Sequence, residues 1–188
     1  MSQACSRPLP RPIVLGSTSR YRAELLSRLK LDFDVVAPDV DESARPGEPP
    51  HELARRLALA KARSVSARFP EALVIGSDQV ADLAGEPLGK PGSHEKATDQ
   101  LRLMRGRTVV FHTAVAVVCA ATGFEQLDLA PVKVRFRQLP DAEIEAYLHA
   151  ERPYDCAGSA RSEGLGIALL DSIDSDDPTT RRPWWACR

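Results

Sequence analysis

The sequence lacks an apolar segment long enough to cross a membrane. Its longest uninterrupted apolar run, Ala114–Ala121, is far shorter than the roughly 20 residues required, and Pro8, Pro10 and Pro12 stand where a signal peptide would have its apolar core. The 188-residue chain also has almost no net charge, because 25 basic residues oppose 26 acidic ones. A strong overall attraction to nucleic acid is therefore excluded. We predict a soluble, cytoplasmic protein with no membrane partner and no specific nucleic-acid partner.

Metal-binding cysteine motifs are absent as well. The sequence has no Cys-x-x-Cys pair and no histidine at zinc-finger spacing from its scattered cysteines, which are Cys5, Cys119, Cys156 and Cys187. We interpret the four cysteines as free thiols, two of them buried, and predict no zinc site. The histidines lie outside the polar clusters described below, which favours surface or core roles for His51, His94, His112 and His149.

Strand and helix patterns alternate along the chain without internal repeats, which predicts a mixed α/β domain. Apolar runs predict strands at residues 13–15, 33–36, 73–75, 109–120, 132–136 and 167–170. Helical spacing predicts helices at residues 21–30, 51–69, 94–104 and 141–149, with Ser93 as the N-cap of the third. A hairpin turn is expected at residues 84–87, and the acidic, proline-rich residues 38–50 are expected to form a long functional loop.

Short polar clusters lie in loops or directly after predicted strands. They are Ser17-Thr18-Ser19 with Arg22; Asp39, Asp41 and Glu42; Asp78-Gln79; and Gly89-Lys90-Pro91. Ligands of open α/β sheets bind beyond the carboxyl ends of the strands. Clusters that are distant in sequence are therefore expected to converge.

Each cluster has a chemical interpretation and a structural alternative. Hydroxyls and amides at a helix N-terminus, with Arg22 on the first turn, suit a phosphate, but an N-cap serine and a solvated arginine have the same sequence. Asp78 is expected at the carboxyl end of a buried strand, where it either binds a divalent cation and activates water or caps a turn. The acidic loop, with Asp41 and Glu42, either adds oxygen ligands to the cation or is simply solvated. Lys61 and Lys90 either neutralise a polyphosphate or extend into solvent.

Six motifs in order carry a resemblance to a known family. They are Ser17-Thr18-Ser19-Arg20-Tyr21-Arg22, Val40-Asp41-Glu42, Ala60-Lys61-Ala62, Gly76-Ser77-Asp78-Gln79-Val80, Gly89-Lys90-Pro91, and Ala157-Gly158-Ser159 with Ser162-Glu163-Gly164. Over about residues 13–178 the sequence resembles the Maf-like nucleotide pyrophosphatases. Six separated motifs in one order are far more specific than any single one.

The resemblance implies a fold and an activity. The fold is α/β, similar to Maf and inosine triphosphate pyrophosphatases, with a mixed, twisted central sheet flanked by helices and a cleft at the strand C-terminal ends. The activity is hydrolysis of a nucleoside triphosphate between its α and β phosphates, with a divalent cation, Mg²⁺ or Mn²⁺, as cofactor, and a homodimer is implied. Tyr21, Gln79 and Glu163 resemble the subgroup that acts on 7-methyl-GTP. Stacking on Tyr21 and the carboxylate of Glu163 would favour a cationic, methylated guanine.

We assign hypothetical roles to the motif residues on this basis. Asp78 is expected to act as the general base on a water molecule and to share the metal ion with Glu42. The substrate phosphates are expected to bind Ser17, Arg22, Lys61 and Lys90.

The ends of the chain depart from the central region. Residues 1–12 are predicted to be a flexible tail, residues 13–178 the Maf-like nucleotide pyrophosphatase domain, and residues 179–188 an atypical C-terminal tail. Family members continue after the last strand with an Asn-containing turn and an apolar helix, whereas this chain has Arg181-Arg182-Pro183-Trp184-Trp185. We therefore expect altered packing and dimer formation, and low solubility from an uncovered apolar face.

Two rival functions remain open at this point. One is a non-catalytic nucleotide- or nucleic-acid-binding regulator linked to septum formation, with Lys133, Arg135 and Arg137 as its basic footprint, although such alternation is also typical of a strand's solvent face. The other is a phosphatase or kinase. It is disfavoured because the sequence has no Cys-x5-Arg loop, no kinase glycine-rich loop and no Walker loop.

Overall fold

The computed structural model describes residues 11–162 and 164–175. Predictions that concern residues 1–10, Glu163 and residues 176–188, including Cys5, Cys187 and the C-terminal tail, lie outside that part. The helices are α1 (Arg20–Ser27), α2 (Pro50–Ser66), α3 (His94–Met104) and α4 (Asp141–Glu151). The strands are β1 (Ile13–Gly16), β2 (Asp34–Val36), β3 (Leu73–Leu83), β4 (Glu86–Leu88), β5 (Thr108–Cys119), β6 (Phe124–Phe136) and β7 (Leu170–Ser175).

The strands of the described residues form one mixed sheet. Its order is β2-β1-β3-β5-β6-β7, and β4 pairs with β3 away from this path. Strand β1 runs parallel to both β2 and β3, whereas β4 is antiparallel to β3 and β7 is antiparallel to β6. Helices alternate with these strands along the chain, so the predicted mixed α/β fold class is confirmed.

Strand β3 corrects one prediction. The sequence pattern ended this strand at Ile75, but β3 continues to Leu83. Its parallel pairing with β1 stops at the partners Gly16 and Gly76, and its second half forms a hairpin with β4. Asp78 therefore lies inside a strand, just past the end of the parallel pairing. The prediction that it follows the carboxyl end of a strand is wrong.

The physical reason for this error is the role of Gly76. A Cβ atom at this position would lie 2.3 Å from the Ala58 carbonyl oxygen and 2.5 Å from the Ala62 backbone nitrogen, both in α2. A glycine inside a strand often marks the close approach of another backbone. Gly76 lets α2 lie directly on β3 and does not terminate the strand.

The predicted strand at residues 167–170 is also wrong. Leu165–Leu169 forms a short 3₁₀ helix, and β7 begins only at Leu170. The Gly166 amide donates a hydrogen bond of 3.0 Å to the Arg161 carbonyl oxygen. A Cβ at Gly166 would lie 2.4 Å from that same oxygen, so the chain turns tightly here. A short apolar run cannot by itself distinguish such a turn from a strand.

Other local predictions are confirmed. Ala84 and Gly85 both have positive φ angles, 58° and 92°, as a two-residue hairpin turn requires. The Ser93 side chain caps α3 by accepting a hydrogen bond from the Lys96 backbone amide. Strand β6 alternates near its end, where Val134 and Phe136 are buried and the arginine between them is exposed.

The chain divides into two compact units. The first comprises residues 11–43, 55–77 and 115–128, and the second comprises residues 44–54, 78–114 and 129–175 without residue 163. In the first unit β1 is buried along its whole length. In the second, α3 and α4 contribute to one apolar core that includes Leu101, Met104, Phe136, Ile144 and Leu148.

Two further expectations can be compared with the described residues. Within the described residues Cys119 and Cys156 form no disulfide, and the first is buried and the second half-buried. Among residues 11–162 and 164–175, every helix is too short or too polar to cross a membrane.

Candidate active site

The first polar cluster forms a compact local arrangement in the first unit. Ser17 directly follows β1 and is 3% exposed. Its Oγ accepts hydrogen bonds from the Ser19 backbone amide at 3.1 Å and from Arg22 Nη1 at 3.4 Å. Ser19 caps α1 by accepting a hydrogen bond from the Arg22 amide at 3.4 Å. The predicted phosphate ligands Ser17 and Arg22 are therefore in contact. The alternative interpretation of this cluster, a serine N-cap, also applies, because Ser19 caps α1.

Tyr21 lies on the same helix and already contacts a cation. The Arg20 guanidinium carbon lies 4.8 Å from the centroid of the Tyr21 ring, and Arg20 Nη2 donates a hydrogen bond of 2.8 Å to the Tyr21 hydroxyl. An aromatic face at this distance attracts positive charge. The guanidinium of Arg20 thus occupies one position over this ring.

Lys61 is buried, which the sequence pattern left open. It is 4% exposed and lies on α2, the helix that passes over Gly76. Its Nζ lies 2.9 Å from Glu42 Oε1, whose side chain is 56% exposed. A buried ammonium needs a partner of opposite charge. Glu42 provides it, so two residues predicted for the site are joined in one ion pair.

The acidic loop that carries Glu42 is fastened to α2. Two contacts hold it: Arg56 Nη2 donates to the Ser43 carbonyl (2.9 Å), and Ser64 Oγ bonds to both backbone groups of Asp39 (3.1 Å each). Just past α2, Arg68 Nη2 donates to the Ala37 carbonyl, which precedes the loop (2.7 Å). Residues 39–43 are therefore held against α2 in the first unit.

Asp41 has a local role within this loop. Its Oδ1 accepts a hydrogen bond of 2.9 Å from the Ser43 amide. That bond lowers the pKa of Asp41 below its ordinary value, because it stabilises the charged form. Asp41 therefore closes a turn and shapes the segment that presents Glu42.

Asp78 is 7% exposed, as is Ser77 before it in β3. The register pairs Gly16 with Gly76 as its last partners, so Ser17 directly follows β1 and Ser77 is the next residue of β3. Asp78, the residue that follows Ser77, begins the 78–114 segment of the second unit. Asp78 is therefore a strand residue that is largely shielded from bulk water.

Gln79 and Lys90 are both exposed residues of the second unit. Gln79 Nε2 donates a hydrogen bond of 2.8 Å to Thr113 Oγ1 on β5, which fixes the orientation of the amide. Lys90 lies in the loop between β4 and α3, where Gln100 Nε2 donates to the Gly89 carbonyl at 2.9 Å. The backbone on both sides of Lys90 is thus restrained, since Pro91 is buried on its other side.

The Ala157-Gly158-Ser159 motif has a supporting role. Ser159 is fully buried, and its Oγ donates a hydrogen bond of 2.6 Å to Gln100 Oε1. The same Gln100 amide holds Gly89, next to Lys90. The motif therefore anchors the Lys90 loop, a function that sequence spacing alone did not reveal.

Several polar contacts were missed at the sequence level. His94 and His149 gather around Glu145, and His112 Nε2 lies 3.1 Å from Asp82 Oδ2. The signal was weak because these partners are far apart in sequence; His94 and Glu145 are separated by 51 residues. These histidines belong to specific polar networks.

The basic footprint predicted from Lys133, Arg135 and Arg137 is only partly available to a ligand. Arg137 Nη1 donates hydrogen bonds to Glu143 at 3.1 Å and to the Ala168 carbonyl at 2.7 Å. Lys133 and Arg135 are exposed on β6. One of the three cations is thus committed to the fold of the second unit.

Comparison with known families agrees with the motif order. The family described as "Maf-like protein" matches residues 12–180. This chain belongs to the Maf-like family. Maf-like relatives named "7-methyl-GTP pyrophosphatase" include one from Albidiferax ferrireducens, 70% identical over 93% of this chain and 87% of the relative. Another, from Polaromonas sp., is 71% identical over 92% of this chain and 78% of the relative.

Similarity extends to more distant relatives. A Bordetella pertussis protein with the same name is 57% identical over 91% of this chain and 85% of the relative. A solved structure titled "Structure of a HAM1 protein from Coxiella burnetii" shares 17% identity, with a TM-score of 0.49 over 69% of this chain and 75% of that chain. The α/β assignment of this Maf-like protein rests on its own sheet and helices.

Proposed function

We propose that this Maf-like protein is a nucleoside triphosphate pyrophosphatase that hydrolyses the α–β phosphoanhydride of 7-methyl-GTP, releasing the monophosphate and pyrophosphate. The observation that carries this proposal is the name "7-methyl-GTP pyrophosphatase" of relatives that are 70% and 71% identical over more than nine tenths of the chain. The chemistry of the described residues supports it, as the following steps show.

Binding of the triphosphate is assigned to four residues. Ser17 and Arg22 contact each other at the start of α1, where backbone amides and the helix dipole favour an anion. Lys61 is held by packing, and Lys90 lies in a restrained loop. Positive charge placed beforehand stabilises the charge that develops on departing pyrophosphate. Each cation therefore acts on the leaving group.

Asp78 is the proposed general base. It lies in β3 and is 7% exposed, so its carboxylate is largely shielded from bulk water. In the proposed step it takes a proton from the attacking water, whose oxygen bonds to the α-phosphorus while the bond to the β-phosphate bridging oxygen breaks. General-base catalysis contributes roughly 10²–10⁴-fold in rate.

A divalent cation fits the donor set. Magnesium is typically held by one or two carboxylates together with substrate phosphates. Asp78 and Glu42 offer carboxylate oxygens, and the Glu42 side chain is 56% exposed beside Lys61. When bound, Mg²⁺ or Mn²⁺ neutralises phosphate charge. We assign the two carboxylates to this ion, and Glu42 also orients the Lys61 ammonium.

Base recognition is assigned to Tyr21, Gln79 and Glu163. The Tyr21 ring faces one cation already, and 7-methylguanine is itself cationic. Gln79 offers an amide whose orientation is fixed by Thr113. The carboxylate of Glu163 is proposed to accept hydrogen bonds from guanine N–H groups.

The proposal is tested by measuring pyrophosphate release from 7-methyl-GTP, GTP and UTP in the presence of Mg²⁺. We expect 7-methyl-GTP to have the highest kcat/KM. Asp78→Asn should lower kcat by about 100-fold or more, because it removes the base. Asp99→Asn is the matched control, since Asp99 is an exposed α3 residue with the same chemical change.

Other outcomes would contradict the proposal. Equal activity of Asp78→Asn and wild type would remove Asp78 from the reaction. Tight nucleotide binding without pyrophosphate release from any nucleotide would favour the regulator. Location in the cytoplasm and a homodimeric state also stay predictions, checked by fractionation and light scattering.

A further inference from the structure

Three side chains that the proposed reaction does not use gather in the second unit. They are His94, at the start of α3, and Glu145 and His149, on α4. One ligand atom from each lies within 4.8 Å of the others. His94 Nε2 is 2.7 Å from Glu145 Oε2, and His149 Nε2 is 3.9 Å from that oxygen. One carboxylate oxygen thus lies between two imidazoles.

The backbone holds these side chains in place. Glu145 and His149 are four residues apart and share one face of α4. His94 is the first residue of α3, directly after the capping Ser93. Both helices contribute to the same apolar core. The cluster is therefore organised by folding and does not need an ion to assemble.

Outer contacts orient two of the three groups. The Tyr154 hydroxyl lies 3.0 Å from His94 Nδ1, and Thr98 Oγ1 lies 3.1 Å from Glu145 Oε1. Metal-binding histidines almost always have such a partner on the second ring nitrogen, which fixes the tautomer. Tyr154 also lies 3.4 Å from the Leu148 carbonyl. It can donate its proton there and accept one from His94 Nδ1, so Nε2 can bind an ion once the proton that it shares with Glu145 has left.

We propose that His94, Glu145 and His149 form a binding site for a transition-metal ion of the zinc class. Two imidazoles and one carboxylate are a donor set that zinc accepts, with water in the fourth position. The side chains of His94, Glu145 and His149 are 36%, 41% and 73% exposed, so an ion and its water ligand reach them from solvent.

The donor set discriminates between metals. Imidazole nitrogen suits Zn²⁺, Co²⁺, Ni²⁺ and Cu²⁺, whereas Mg²⁺ prefers oxygen ligands. Zinc–ligand bonds of about 2.1 Å place tetrahedral ligands about 3.4 Å apart. His149 Nε2, now 3.9 Å from Glu145 Oε2, must therefore approach it by about 0.5 Å, and its exposed side chain has room to do so. His94 Nε2, now 2.7 Å from the same oxygen, must move away from it by about 0.7 Å. The ion replaces the proton shared by His94 and Glu145 when it binds.

The test uses full-length, untagged protein stripped with EDTA, titrated with ZnCl₂ by calorimetry in excess MgCl₂. We expect one strong Zn²⁺ site, formed by His94, Glu145 and His149. We also expect Zn²⁺ to raise the melting temperature, because an ion that binds only the folded state stabilises that state. Co²⁺ in place of Zn²⁺ should give the visible absorption of a four- or five-coordinate site. None of these readouts depends on pyrophosphatase activity.

Variants assign the site. His149→Ala should weaken Zn²⁺ binding by at least about tenfold, and Tyr154→Phe by about tenfold, since outer partners typically contribute 10–100-fold. His51→Ala is the matched control, because this exposed histidine lies outside the cluster and should leave binding unchanged.

Specific results would overturn the proposal. They are absence of Zn²⁺ binding in excess Mg²⁺, or binding that is unchanged in both His149→Ala and Glu145→Gln. If His94→Ala fails to fold, the exposed His149 and the half-buried Glu145 still decide the question. Loss of nucleotide hydrolysis by Asp78→Asn with intact Zn²⁺ binding separates this site from the proposed function.

Discussion

Helices α1 and α3 begin in the same way but are held in the fold by different means. Each has a serine N-cap, and the cap oxygen accepts a hydrogen bond from the backbone amide three residues later, at 3.4 Å for Ser19 and 3.3 Å for Ser93. Yet α1 has no buried residue, whereas α3 buries Ala97, Thr98, Leu101 and Met104. A serine N-cap therefore starts both helices, but only α3 is also held by buried side chains.

This difference matters for function. The exposed α1 carries Tyr21 and Arg22, assigned to substrate, and its order depends on local hydrogen bonds. The buried α3 carries no proposed catalytic group, but Gln100 on it anchors the loop of Lys90. Substrate-binding elements are often drawn from the less stable parts of a protein. We infer that α1 is such an element and that α3 is scaffold.

The largest expected effect is on the free energy of unfolding when a leucine of each helix is replaced by alanine. Leu101→Ala on α3 should lower the free energy of unfolding by about 2–5 kcal/mol, because it empties a fully buried site. Leu25→Ala on α1 should cost about 0.5 kcal/mol or less, because Leu25 is 48% exposed. Urea denaturation measures both. Equal losses would contradict the comparison.

A smaller effect is expected from the two caps. Ser93→Ala should lower the free energy of global unfolding by about 1 kcal/mol, the usual cost of an N-cap. Ser19→Ala should leave global unfolding nearly unchanged, since α1 can fray alone, but amide hydrogen exchange in residues 20–27 should accelerate by about fivefold. Under the proposed function it also raises KM for 7-methyl-GTP. Equal global destabilisation by both variants would show that α1 is scaffold too.

The smallest expected effect is a loss of stability at acid pH through Asp141. Hydrogen bonds from Arg102 and Arg105, at the end of α3, lower the pKa of Asp141 on α4 below its ordinary 3.8. A carboxyl with a depressed folded pKa stabilises the protein above its unfolded pKa and loses that contribution as pH falls through the folded value. The difference in melting temperature between wild type and Asp141→Asn should therefore shrink below about pH 4. A constant difference down to pH 2 would contradict the assignment.

Local signals in the sequence predicted much of the fold. Ser93 was recognisable as a cap because its hydroxyl and the following helical pattern act within one turn. The alternation along β6 was readable because one strand face is buried. The site residues were found through the order of motifs, and their convergence on substrate stays a prediction.

The secondary-structure predictions were wrong where the role of a residue depends on a contact outside its own short segment. Gly76 indicated a strand end, but its role is to admit the backbone of α2 at Ala58. Residues 167–170 indicated a strand, but the hydrogen bond between Gly166 and Arg161 tightens the chain instead. The helical pattern around Lys61 likewise did not predict whether this lysine is buried or exposed.

The amino-acid order by itself determined the family, the mixed α/β class and the starts of the capped helices, because these depend on short-range chemistry and on motif succession. Only the tertiary structure decided that Lys61 is buried against Glu42, that Ser159 supports the Lys90 loop through Gln100, and that His94 meets Glu145 and His149. The reason is that such contacts join groups far apart along the chain, and close packing of helices and sheet selects which of them meet.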